Sequence, residues 1–165
     1  MEPLVPQSHH TPRDWIVDAF TAAKPVVIES LQMARSTITV SFDHWLADNE
    51  LDLLVVVAHY LDSNLELKTV LLALKPSYGH DAQELQDTLL SVLREYKISD
   101  KIGYFIADNA ANNDAALRLL SHHIDVKPAK QRLRCSGHVI NLVVKAILYG
   151  CLLYTSLMAR GRRVD

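Results

Sequence analysis

Asp43 and Asp108 are the residues of this chain best suited to chemistry. Each stands where a run of strand-forming residues gives out, Asp43 in STITVSFDHW (36–45) and Asp108 in IGYFIADNAANN (102–113). Open α/β sheets place their ligands at the carboxyl ends of strands. A carboxylate there can instead cap the next helix, and the amides after Asp108, with Asp114, offer several such acceptors. The pairing of the strands separates these readings. If the strand ending near Asp43 runs beside and parallel to the one ending at Asp108, a spacing of about 4.8 Å brings both carboxylates to one sheet end. Oxygen donors so placed suit hard divalent cations, Mg²⁺ or Mn²⁺, which sit about 3.5–4 Å apart in two-metal sites.

Other side chains have two readings each. Cys135 and His138 form a C-x-x-H, but zinc needs two more ligands, and Cys151 and His122-His123 are irregularly spaced from them. The alternative is a Cys packed as a small hydrophobe. Lys127, Lys130, Arg132 and Arg134 alternate with small or polar residues, as either phosphate contacts or a solvated loop. Trp45 either stacks on a base or fills the core. His44 and His59 lie in strand-like segments and read as core or sheet-face residues.

These residues need a scaffold, and its elements follow from periodicity. Asp14–Ala23 and Pro25–Arg35 read as two helices, with Pro25 in the first turn of the second. In Ser36–Trp45, Ile38, Val40, Phe42 and His44 alternate with Thr37, Thr39, Ser41, Asp43 and Trp45, which predicts a strand. Leu53–Leu61 reads as a second strand, too uniformly apolar to face water on either side. Asp62-Ser63-Asn64 is a turn, and Leu65–Leu74 returns as a third strand in an antiparallel meander. Asp81 with Glu84 resembles a capping box ahead of a helix whose stripe is Leu85, Leu89, Val92, Leu93 and Tyr96. The 102–107 strand, a helix at about Ala110–His122, a loop with Pro128, the short stretch QRLRC and an apolar helix from about Gly137 to Tyr149 complete the order. It fits an α/β fold, a mixed sheet flanked by helices.

Composition bounds the rest. At 165 residues and 49% apolar, the chain suits one domain with a core of its own. From Val126 onward there are eight Lys or Arg against one acid, Asp165, which suits a polyanionic partner or a solvated tail. Two cysteines and no signal-peptide pattern near Met1 point to a reducing, intracellular compartment. The apolar stretch Val139–Leu153 contains Asn141 and Lys145 and is too short and polar to cross a bilayer. Residues 1–12 should be loose. The tail Cys151–Asp165 abandons the helix pattern and reads as extraneous sequence.

SFDHW, the HYLD strand with its hairpin partner, IADNAANN and RCSGHVINLVVKAIL, in this order, resemble the hAT-superfamily DNA transposases. The resemblance covers roughly Ser30 to Tyr149. It implies a ribonuclease-H-like core, with an antiparallel three-strand meander plus parallel strands, incomplete at its carboxyl end. The expected division is a helical lead-in (1–35), the partial core (36–149) and a basic tail (150–165). The resemblance further implies catalytic, metal-binding roles for Asp43, in a D-x-W context with Trp45, and for Asp108, in a D-N-x-x-N context with Asn109 and Asn112. His138 would orient DNA, joined by Trp45, Lys130, Arg132 and Arg134. Mg²⁺ or Mn²⁺, transposon-end DNA, a homo-oligomeric parent and a nuclear location are implied with it. Two features depart from the family: no Glu follows Glu95 to complete its carboxylate triad, and no Cys precedes Cys135 to build its amino-terminal BED-type finger. Weak metal binding and little catalysis are therefore expected. The alternatives are a domesticated DNA- or protein-binding module, or an unrelated metal-dependent α/β hydrolase or nuclease.

Overall fold

The alternation of residues 36–45 sets the frame. In the structure, a computed structural model that describes residues 10–46, 51–77 and 81–160, this segment becomes the central strand of a five-stranded sheet. The elements in order are α1 (His10–Gln32), β1 (Ile38–Leu46), β2 (Asp52–Leu61), β3 (Leu67–Pro76), α2 (Ala82–Glu95), β4 (Ile102–Ala107), α3 (Ala111–Leu120), α4 (Pro128–Gln131), β5 (Arg132–Arg134) and α5 (Ser136–Arg160). The strand order is β3-β2-β1-β4-β5. β1, β2 and β3 are antiparallel, whereas β4 runs parallel to both β1 and β5. The expected α/β mixed sheet flanked by helices is what forms.

One face of the sheet carries the core. Ile38, Val40 and Phe42 of β1, Leu54, Val56, Ala58 and Tyr60 of β2, and Phe105 and Ala107 of β4 are buried, in one cluster with Leu31 of α1, Leu89 and Leu93 of α2, and Leu117 and Leu120 of α3. Phe42 and Phe105 meet edge to face, with centroids 6.5 Å apart, which ties β1 to β4 through their side chains. The other face is partly open. Val55, Val57 and His59 are half-buried and Leu71 and Leu74 exposed, so β2 is not shielded on both sides as its composition suggested.

Local chemistry fixes the connections. Asp62 Oδ1 accepts from the Asn64 and Glu66 N–H groups at 2.8 and 3.0 Å, holding Leu65 at φ 63° and delaying β3 to Leu67. Asp81 Oδ1 accepts from the Glu84 N–H at 2.7 Å and caps α2 as its sequence predicts. At the other end of α2, the Ile98 N–H donates to the Leu93 carbonyl and the Lys97 N–H to that of Arg94. This is a Schellman ending, with Lys97 at φ 57° where glycine is usual.

Three helices differ from expectation. α1 runs unbroken through Pro25. A proline there forfeits one helical hydrogen bond; Leu31, with Val27 and Ile28 packed against the core, and the Lys24–Glu95 ion pair hold the segment in place. The loop expected around Pro128 contains the single turn α4, with Pro128 at its start. α5 continues past Tyr149 to Arg160, through residues rich in good helix formers and lacking proline. Of the segment expected to be loose, residues 1–9 lie outside the described residues, as do 161–165 of the tail.

Candidate functional site

Strand register decides whether the two carboxylates meet. Ser41 of β1 pairs with Ile106 of β4 in the parallel ladder. Two residues further along each strand stand Asp43 and Asp108, on the same side as Ser41 and Ile106 because strand side chains alternate. Both line a cleft of about 560 Å³ together with Ser41, Ile106, Cys135, His138 and Asn141. Both also line an adjoining hollow of about 310 Å³ with His44, Asn112 and Asn113. The two aspartates thus share the wall between two cavities at the carboxyl end of the sheet's parallel pair.

Asp108 is held and Asp43 is open. Asp108 Oδ1 accepts from the Ala110 N–H at 3.0 Å and from the Asn113 side-chain amide at 2.6 Å. The capping reading does not hold, because α3 starts from Ala110 with no side-chain cap; Asp108 instead braces the turn ahead of the helix through one oxygen. No hydrogen bond to Oδ2 occurs among the described residues, so one carboxylate oxygen remains for a ligand. Asp43 is exposed, and its carboxylate has no ion pair or hydrogen bond among the described residues. Mg²⁺ is usually bound by one or two carboxylates, completed by water and substrate phosphate oxygens. The oxygen donors here fit that cation in kind. Among the described residues no group of three or more His, Cys, Asp or Glu side chains could hold a metal ion.

Sequence reasoning pointed to Asn109 and Asn112 beside Asp108 and missed Asn113, the buried amide that contacts it. It also missed what Arg132 does. The Arg132 side chain is only 8% exposed and pairs through Nε with Asp114 Oδ1 at 3.1 Å. Its terminal nitrogens donate to the carbonyls of Ala107, Asp108 and Leu133. One guanidinium therefore joins the end of β4 to α3 and β5, and fixes the backbone that carries Asp108.

The remaining candidates are scattered around this centre. His138, half-buried in the first turn of α5, lines the main cleft. The Cys135 N–H donates to the Ala107 carbonyl at 2.8 Å, extending the β4–β5 ladder by one bond. Trp45 shares the face of Asp43 and is 41% exposed, so the core reading does not hold for it. Arg134 lies 3.6 Å from Asp114 and, with Arg132, lines a separate cavity. Lys130 is exposed on α4, beside a shallow hollow shared with Asp125. Asp114 and Asp125 line those cavities instead of the cleft and so bring it no third carboxylate. His59 bridges Ser41 at 2.8 Å and Thr69 at 3.1 Å across the open sheet face.

The chain is 26% identical over 117 residues to "Putative transcriptional regulator tpeD" of Talaromyces stipitatus. That match covers 67% of this chain and 14% of the relative, so the chain spans a small part of that protein's length. No solved structure matches the chain. Among the described residues no helix is long and apolar enough to cross a membrane. The family described as ZBED1 RNase-like domain matches residues 41–139, from the middle of β1 to the first turn of α5, which sets aside the unrelated hydrolase. Asp43, Asp108 and His138 all fall inside that segment, and the chain belongs to this hAT-related family.

Proposed function

We propose that the chain is part of a hAT-type transposase core, binding DNA together with Mg²⁺ or Mn²⁺ through Asp43 and Asp108. The observation that carries this reading is the convergence of the two aspartates on one cleft from adjacent parallel strands. A divalent cation bound there would activate water or a 3′-hydroxyl for in-line attack on a phosphodiester and stabilise the leaving oxygen. The protein's own residues position and neutralise. Asn113 and the Ala110 N–H orient Asp108 by one oxygen, Arg132 holds the backbone beneath it, and His138 faces the cleft as a phosphate contact. Trp45, Lys130 and Arg134 would extend the DNA contact over exposed surface. With two carboxylates in the cleft, metal affinity is low and strand cleavage by this polypeptide alone is negligible.

A second reading is a domesticated nuclear module that binds DNA or protein and has no catalysis. The tpeD relative, named for transcriptional regulation, favours it. Calorimetric titration of Mn²⁺ into the wild type, Asp43→Asn and Asp108→Asn decides about the metal site. Weak binding that either substitution abolishes supports the transposase core, whereas three identical titrations refute it. DNA binding that persists unchanged with no metal uptake would favour the regulator.

A further inference from the structure

A second cavity, of about 460 Å³, lies between α3, α4 and β5, outside the Asp43–Asp108 cleft. Arg118, Arg132 and Arg134 line it against a single carboxylate, Asp114, with Ser121 also in the lining. The pairing within it is incomplete. Asp114 is engaged by Arg132 at 3.1 Å and by Arg134 at 3.6 Å. The exposed Arg118 guanidinium has no ion-pair partner among the described residues, and Arg134 keeps the rest of its donor fork free. Two guanidinium groups with spare parallel N–H donors match the oxygens of a phosphate.

We infer that this cavity is a phosphate subsite for a nucleic-acid backbone, an inference that rests on the DNA-binding reading above. Two observations favour a phosphodiester over a free anion. Pro128 and the exposed Ala129 give the cavity an apolar rim, which a sugar edge would cover and an inorganic ion would leave bare. Lys127 and Lys130, both exposed, extend the positive surface past α4. The cavity is also tied to the cleft. Asn113 and Asp114 are consecutive on α3, and the first contacts Asp108 while the second lines the cavity. Arg132 touches both, through the Asp108 carbonyl and the Asp114 carboxylate. A strand held by Arg118 and Arg134 would be anchored to the same framework that positions Asp108.

The test uses a fluorescein-labelled single-stranded 12-mer, with anisotropy read in EDTA from about 50 to 200 mM salt. On a single strand each backbone phosphate contact contributes about 0.7 to the slope of log K against log salt. Arg118→Gln should weaken binding about three- to tenfold for any sequence and reduce the slope by about 0.7. Arg134→Gln should act likewise, with circular dichroism checking that its lost Asp114 pair leaves the fold intact. Arg94→Gln, an exposed arginine on α2, should change neither quantity. An Arg118→Gln slope equal to that of the wild type overturns the subsite. So does competition by inorganic phosphate or a phosphoserine peptide as strong as that by unlabelled oligonucleotide. Because EDTA is present, failure of the metal site leaves this result untouched.

Discussion

Asn113 donates its side-chain amide to Asp108 Oδ1 at 2.6 Å, across the turn between β4 and α3. Asn113 is buried, and the acceptor is the carboxylate placed at the cleft. Hydrogen bonds to charged groups contribute about 1.5–3 kcal/mol. Asn113→Ala should lower the unfolding free energy by about that much in urea denaturation and also loosen any Mn²⁺ binding. An unchanged urea midpoint would show that the bond adds no stability.

Gly103 marks the place where β4 comes closest to the segment entering β1. A Cβ added there would lie 2.3 Å from Thr37 Oγ1 and 2.8 Å from Thr37 Cβ, beside a register shift between Ile38 and Thr39. Gly103→Ala should destabilise by about 1–3 kcal/mol, as overpacking does. Thr37→Gly in the same chain should recover most of the loss. Additive losses in this double-mutant cycle would count against the clash.

Lys97 closes α2 with a positive φ of 57°. A side chain in the left-handed region is strained, and glycine is not. Lys97→Gly should therefore stabilise the protein by about 0.5–1 kcal/mol, measured as a rise in thermal midpoint, because the Schellman bonds come from backbone alone. A fall in the midpoint would show that the lysine side chain has a role of its own.

The β2–β3 turn should respond to acid. The Glu66 N–H is the largest influence holding the Asp62 carboxyl below its ordinary value of 3.8, followed on the lowering side by the Asn64 N–H and Lys68. A lowered carboxyl pKa contributes stability above the unfolded value, and that contribution is lost as pH falls through the folded value. Between pH 5 and pH 2, amide signals of Asn64 and Glu66 should move with a midpoint below 3.8, and Asp62→Asn should abolish that transition. A midpoint at or above 3.8 would contradict the turn geometry.

Local patterns in the sequence translated well where neighbours along the chain do the work. The D-x-x-E spacing placed Asp81 as the α2 cap, and strict alternation in residues 36–45 gave the faces of β1. Long-range effects were not legible. Pro25 looked like a helix start because nothing nearby reveals the Lys24–Glu95 pair that spans to α2. Arg132 sits in an alternating basic run that reads as solvent-facing, and its burial depends on β5 pairing with β4. Asn113 was missed because a helix turns about 100° per residue, so an uncertain first residue leaves the choice among Asn109, Asn112 and Asn113 open. The carboxylate pair was conditional on a parallel β1–β4 pairing that periodicity alone could not assign.

That pairing has a consequence for how the molecule assembles. β1 meets β2 through a short connection but reaches β4 only after β2, β3 and α2 have been traversed. Local pairs close cheaply and distant ones wait, because the entropy of a large loop must be lost first. The meander β1–β3 is thus expected to form early and to persist under mild denaturant, while β4 and the Arg132 junction dissolve first. In native-state hydrogen exchange, the Val56 amide should outlast that of Phe105. The two aspartates would then stand among the last neighbours to meet in folding and the first to part, so the chemistry of the cleft depends on the least local contact in the sheet.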